Sequence, residues 1–130
     1  MSPIDWATRP LKKYADFSGR APRAEYWWFY LLMIIGYVIA TIIDSTLGLT
    51  GSVGPYGIVM AVFALAMLIP SIAAGIRRLH DTDRSGWWLL IGLIPLVGAI
   101  VLIVFFVTQG TQGPNKYGDD PYAGGASRAM

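Results

Sequence analysis

Residues 56–88 read YGIVMAVFALAMLIPSIAAGIRRLHDTDRSGWW. From Tyr56 to Ile76 there is no charged side chain. Arg77, Arg78, Asp81, Asp83 and Arg84 then crowd into the positions that follow. A helix rises about 1.5 Å per residue, so roughly 20 apolar residues cross the ~30 Å hydrocarbon layer of a bilayer. The first part of the stretch has that length, and the second carries the charge that belongs at a headgroup surface. Two further uncharged runs, Tyr26–Ile43 and Trp87–Val107, lie on either side. Lipid offers the backbone no hydrogen bonds, so each run is expected to be helical.

The chain has 130 residues, 55% hydrophobic and 14% charged, with no Cys. Soluble domains carry roughly 25% charge, spread over the surface. Here eight charges fall in 1–25, one is Asp44, five lie in 77–84 and four in 116–130. That distribution excludes an ordinary soluble enzyme fold, a disordered chain and a disulfide scaffold. It predicts an all-α integral membrane protein with about three transmembrane helices, near 26–43, 56–76 and 87–107. Residues 1–25 form a basic segment, in which Trp6, Leu11, Tyr14 and Phe17 suggest a short amphipathic helix on the membrane surface; the alternative is a juxtamembrane stretch that merely fixes topology. Residues 108–130 form an irregular Gly/Pro-rich tail, its last ten residues expected to be disordered.

Basic residues set the orientation. Arg9, Lys12, Lys13, Arg20 and Arg23 precede the first run, and Arg77, Arg78 and Arg84 separate the second from the third. Segment 44–55 has no Lys or Arg. The positive-inside rule therefore places the N-terminus and the 77–86 loop in the cytoplasm. Three crossings leave the tail outside. The alternative is a re-entrant pair at Pro95, flanked by Gly92 and Gly98, which returns the tail to the cytoplasm. Pro22 suits the first turn of the first helix, Glu25 complements its dipole, and Asp83 or Ser85 suits the N-cap of the third. Pro70 should kink the second helix unless a neighbour satisfies the carbonyl it releases.

Small residues are expected to bring the helices together. Gly57, Ala61, Ala64, Ser71 and Gly75 share one stripe of the second run with Leu68, and the first run carries Gly36 and Ala40. Ala66, Ala73 and Ala74 fall off that stripe. No run holds an ionisable group other than tyrosine, which argues against a proton relay, a charged ion pathway or a voltage sensor within one chain.

Two polar motifs remain, FSGRAPRAEYWW at 17–28 and GIRRLHDTDRSGWW at 75–88, with GPNKYGDDP at 113–121 in the tail. Together they resemble the bacterial inner-membrane family catalogued as domain of unknown function 805, over about residues 5–122. Asp83 departs from that pattern, where a small residue is usual. The resemblance implies a small inner-membrane protein and no assigned activity. From the residues themselves, Arg20, Arg23, Arg77, Arg78 and Arg84, with Glu25, His80 and Asp81, make a candidate ligand site on the cytoplasmic face. Guanidinium forks suit phosphate or carboxylate, so anionic lipid headgroups of the surrounding phospholipid bilayer are one expected partner. Glu25, Asp81 and Asp83 are available counter-charges, and the alternative is that these arginines only enforce orientation and pair with Glu25 and Asp81 to staple the three spans together. His80 beside Asp81 is the one spot resembling acid–base machinery, although neighbours on a helix face different ways. No catalytic residue, metal site or cofactor is expected, because Cys is absent and one His does not build a typical zinc site. The expected role is a membrane-embedded binding or assembly module, engaging headgroups, a partner membrane protein or further copies of itself, and no nucleic acid. An oligomeric small-solute transporter or channel and a lipid-phosphate enzyme using His80 and Asp81 are the alternatives.

Overall fold

The computed structural model describes residues 2–122, so the expectation of disorder from 123 onward lies outside the described residues. Four α-helices follow in order: α1 (Pro3–Lys12), α2 (Arg23–Thr46), α3 (Ile58–Asp81) and α4 (Val97–Val107). A 3-10 helix, Gly86–Leu93, precedes α4, and the described residues contain no β-strand beyond two isolated bridges. The protein is all-helical, and two helices, α2 and α3, are long and apolar enough to span a membrane. At 24 residues each they reach about 36 Å.

α1 forms where the amphipathic segment was expected. Ser2 Oγ accepts from the Asp5 N–H while the Asp5 carboxylate accepts from the Ser2 N–H, a reciprocal cap at the helix start. Its apolar face is not simply laid on a membrane. Trp6, Ala7 and Pro10 are buried inside the protein, where α1 packs on α2. α2 begins earlier than the apolar run, at Arg23, with Pro22 at the N-cap rather than in the first turn. α3 ends later, because Arg77 to Asp81 continue the helix instead of forming a loop.

The α2–α3 seam uses several of the expected small residues. Gly36 leaves room for the Phe63 ring, which meets Tyr37 edge-on at 5.0 Å. Ala40 is buried, Ala61 and Ala64 are half-buried, and Ser71 Oγ donates to the Met67 carbonyl at 2.6 Å and contacts Met33. Gly75 abuts Leu89 and Phe106. Ala73 and Ala74, off the expected stripe, are also fully buried, because this end of α3 is covered on more than one side.

Two side chains answer problems that the sequence poses. Pro70 has no N–H, so the carbonyl four residues earlier, that of Ala66, loses its helical donor. The Tyr14 hydroxyl donates to that carbonyl, and α3 runs through Pro70 unbroken. At the far end, α3 starts at Gly57 without a side-chain cap of its own. Asp44, buried in the last turn of α2, supplies it by accepting from the Val59 and Met60 N–H groups at 3.0 Å each. A side chain at Gly57 would collide with that carboxylate.

The third apolar run departs from the expected kinked crossing. Its 3-10 arm ends at Ile94, which is extended as the residue before a proline should be. Leu96 has φ 63° and ψ −62°, and the Val97 N–H donates back to the Pro95 carbonyl at 2.7 Å. This is a γ-turn of the rare, strained hand, and it reverses the chain. Ser85 caps the 3-10 arm, as one of the two expected positions. A Cβ at Gly98 would clash with the Ile91 backbone, so only glycine lets the arms close, and Trp88 meets Phe105 across them at 5.6 Å. The run is therefore a helical hairpin. The re-entrant alternative describes its geometry, and the tail returns to the end of the bundle where the chain began.

Tyr14→Phe should lower stability by about 1–3 kcal/mol by stranding the Ala66 carbonyl. In a Pro70→Ala background, where a helical donor is restored, the same change should cost almost nothing. A double-mutant cycle of thermal unfolding in detergent measures the difference. Asp44→Ala should cost about 1 kcal/mol, the usual value of a lost cap, in the same assay.

Candidate functional site

The start of α2, the end of α3 and the end of α4 meet at one end of the bundle. The stretch joining α1 to α2 is tied there by the Ala21 N–H, which donates to the Arg77 carbonyl at 2.9 Å. Helical spacing then sorts residues 77–81. Arg78 and Asp81, three apart, share a face, and the Arg78 guanidinium reaches Asp81 Oδ2 at 2.9 Å. Arg20 comes from the other side, with Nε 3.0 Å from Asp81 Oδ1. All three side chains are buried, at 4% exposure or less.

The remaining Arg78 donors serve the end of α4. The last carbonyls of a helix have no partner within it and carry the negative end of the dipole. Arg78 Nε donates to the Phe106 carbonyl at 2.9 Å, and Nη2 donates to that of Thr108. Trp27 Nε1 also donates to Phe106 O at 3.1 Å, and Arg23 to Val107 O at 3.3 Å. Arg20 treats the tail likewise. It donates to the carbonyls of Gly113, at 2.6 Å, and of Thr111, while the Thr111 N–H donates to the Asp81 carbonyl at 2.7 Å.

A second pair lies beside the first. Glu25, fully buried, is bridged by Arg77, and Arg9 Nε stands 3.1 Å from its other oxygen. Arg77 Nε donates to the Asp16 carbonyl at 3.1 Å, while its Nη2 is buried with no acceptor among the described residues. Ser18 donates from Oγ at 2.7 Å and from N–H at 3.0 Å to the Asp16 carboxylate, which holds that group below the usual carboxylate range and orders the turn. Sequence reasoning missed Arg9 and Asp16. Arg9 lies one turn from buried Trp6 on α1, a signal legible only once α1 is known to pack on α2.

His80 faces away from Asp81, as adjacent helical residues do. Its Nδ1 lies 2.9 Å from the Gly19 carbonyl, and Tyr117 stacks flat on the ring at 3.9 Å. Asn115 Nδ2 donates to the His80 carbonyl at 3.0 Å. Arg84 leaves the group altogether and lies over Phe105 at 4.1 Å. Asp83 is exposed, with φ 60°, and pairs with none of these arginines. Of the eight candidate residues, Arg20, Arg78 and Asp81 form one cluster and Arg77 and Glu25 another. Arg23 caps α4, whereas His80 and Arg84 stand apart. Pairing of the arginines with Glu25 and Asp81 is the arrangement found. No group of three or more His, Asp or Glu that could hold a metal occurs among the described residues.

The family described as protein of unknown function (DUF805) matches residues 14–119, and this chain belongs to it. The chain is 47% identical over 121 residues to the inner membrane protein YhaI of Escherichia coli K12, covering 93% of this chain and 98% of the relative. It is 43% identical over 118 residues to the inner membrane protein YhaH of the same strain, covering 91% and 97%. The uncharacterized protein YiiR, also of that strain, is 30% identical over 131 residues, covering 81% and 85%. No solved structure matches the chain.

Replacing Arg78 by Met leaves Asp81 with Arg20 alone, the Thr108 carbonyl without its donor and the Phe106 carbonyl with Trp27 only, and should cost about 3–5 kcal/mol. Arg78→Lys should rescue only part, because one ammonium cannot span three acceptors. Arg84→Met, which loses a half-buried aromatic contact, should cost about 1–2 kcal/mol, less than Arg78→Met. Denaturation of the purified variants in detergent gives the ranking.

Proposed function

We propose that this chain is a non-catalytic inner-membrane assembly module. It crosses the bilayer twice, with its amino-terminal segment and the 108–122 tail in the cytoplasm, and offers its hairpin to a partner membrane protein within the bilayer. The carrying observation is the turn at 94–96. The 3-10 arm has eight residues and α4 eleven. At about 2.0 and 1.5 Å per residue both arms rise about 16 Å, half of a bilayer core. The turn thus lies near mid-membrane depth, with Leu93 81% and Leu96 75% exposed on the single chain. Irregular backbone at that depth is stable only where protein or a water-filled cavity covers it. A partner seated on the hairpin tip meets that requirement.

Orientation follows from the basic residues flanking α2 and α3 at the cluster end and from their lack in 44–55. Anionic headgroups are a weaker occupant, because Arg20, Arg77 and Arg78 are turned inward and engaged. The lipid-phosphate enzyme asks for a free carboxylate beside His80, whereas Asp81 is held by two guanidiniums.

Reporter fusions after Gly110 and after Tyr122 should both read as cytoplasmic, and an external reading at either would sink the two-crossing arrangement. The chain has no Cys, so single substitutions are clean handles. A photoreactive group on Leu96→Cys should give a discrete protein adduct in membranes, while the same group on Leu65→Cys, at 70% exposure, should give lipid adducts. Lipid adducts alone at both positions would remove the partner.

A further inference from the structure

A cleft of about 520 Å³ opens between α3 and the 3-10 arm, and the assembly reading makes no use of it. Its size is that of small-ligand sites. Ile72 and Ile76 of α3 form one wall, and Leu89 and Leu90 of the hairpin the other. Its polar lining is His80 and Ser85, at the cluster end. Leu90 is 54% and Trp87 78% exposed, so the mouth faces the bilayer. The lining carries no formal charge when the imidazole is neutral. Arg84, the nearest cation in sequence, lies over Phe105 on the other arm.

The chemistry of the polar end is selective. A backbone carbonyl only accepts, so the His80 nitrogen facing Gly19 O, Nδ1, carries the hydrogen. In the neutral ring Nε2 then presents a lone pair, and no described residue bonds it. Ser85 Oγ accepts from the Trp87 N–H at 3.3 Å and keeps its own proton to donate. The cleft therefore offers one acceptor and one donor. A hydroxyl is both at once and satisfies the pair. An ester carbonyl or a phosphodiester only accepts and leaves Nε2 unmet, and a quaternary ammonium does neither. The walls beyond are apolar from Ile76 toward Ile72, deeper along α3.

We propose that this cleft binds the hydroxyl end of an uncharged long-chain amphiphile, with its tail along Ile72, Ile76, Leu89 and Leu90. Acylglycerols and long-chain isoprenoid alcohols share that chemistry; phosphatidylcholine lacks the hydroxyl, and phosphatidylglycerol joins its hydroxyls to a charged phosphodiester that apolar walls disfavour. Trp87 lines the cleft and supplies the readout.

The experiment places the protein in phosphatidylcholine nanodiscs and adds diacylglycerol with brominated acyl chains, which quench tryptophan on contact. The expected result is a saturating component of quenching that is absent in Trp87→Phe and is reversed by an unlabelled isoprenoid alcohol if both compounds share the cleft. Brominated phosphatidylglycerol should quench only in proportion to its mole fraction. Ser85→Ala should weaken the saturating component by about five-fold, the value of one hydrogen bond. Ile72→Phe should abolish it while the protein remains monodisperse and helical. If Ile72→Phe does not fold, Ser85→Ala carries the test. Equal saturation by phosphatidylglycerol would overturn the proposal, as would saturation unchanged in Ser85→Ala or in folded Ile72→Phe. Reversal by diacylglycerol alone would identify the acylglycerol as the source.

Discussion

A helix that stops inside a protein must have its last carbonyls satisfied, and in this fold that requirement falls on Arg78. Its guanidinium bonds Phe106 O and Thr108 O with two of its nitrogens and Asp81 with the third. One planar fork thus closes α4, fixes the hairpin against α3 and neutralises a buried carboxylate. Arg23 and Trp27 complete the cap from α2, so the end of α4 joins both long helices. Five donors in rigid geometry explain why the position is arginine; an ammonium has the charge without the reach.

The buried ion pairs are better understood as determinants of geometry than as sources of net stability. Desolvating two charges costs several kcal/mol each, and their attraction often no more than offsets it. Losing one partner, however, leaves an uncompensated charge. Arrangements in which Glu25 or Asp81 is buried away from its arginines are therefore strongly disfavoured. With apolar runs able to slide and rotate in lipid at little cost, such a penalty selects one register. The opposite end of the bundle solves its smaller problem with one carboxylate, Asp44, placed on the start of α3.

The parts of the fold set by local pattern were legible in the sequence. Uncharged runs at 26–43 and 56–76 gave α2 and α3, and the glycine at 36 marked a true close approach. The third run was harder because its composition fits a crossing and a hairpin equally. What decides between them is a contact between Arg78 and Phe106, 28 residues apart, which periodicity does not encode. Pro95 signalled a break but not its angle. Likewise, Pro70 announced a freed carbonyl, yet the donor, Tyr14, lies 52 residues away from Ala66. In the site, the pairing partners Glu25 and Asp81 could be named from charge and proximity to arginine. The tail's part could not, since its role is mostly through backbone carbonyls that any residue supplies.

The division of labour between His80 and Asp81 follows from the same geometry. One helical step turns Asp81 toward Arg20 and Arg78 and His80 toward Gly19, Tyr117 and the lateral cleft. Asp81 is enclosed and engaged with two guanidiniums, so it does not orient the imidazole. His80 keeps one nitrogen unbonded beside an apolar wall. Adjacent residues that resemble an acid–base pair in sequence thus belong to separate environments, one structural and one open to the bilayer. A tail held by Arg20 closes over the first and stacks on the second. The cleft beside His80 is walled by Ile72, Ile76, Leu89 and Leu90, so the imidazole borders apolar side chains whereas Asp81 borders guanidiniums.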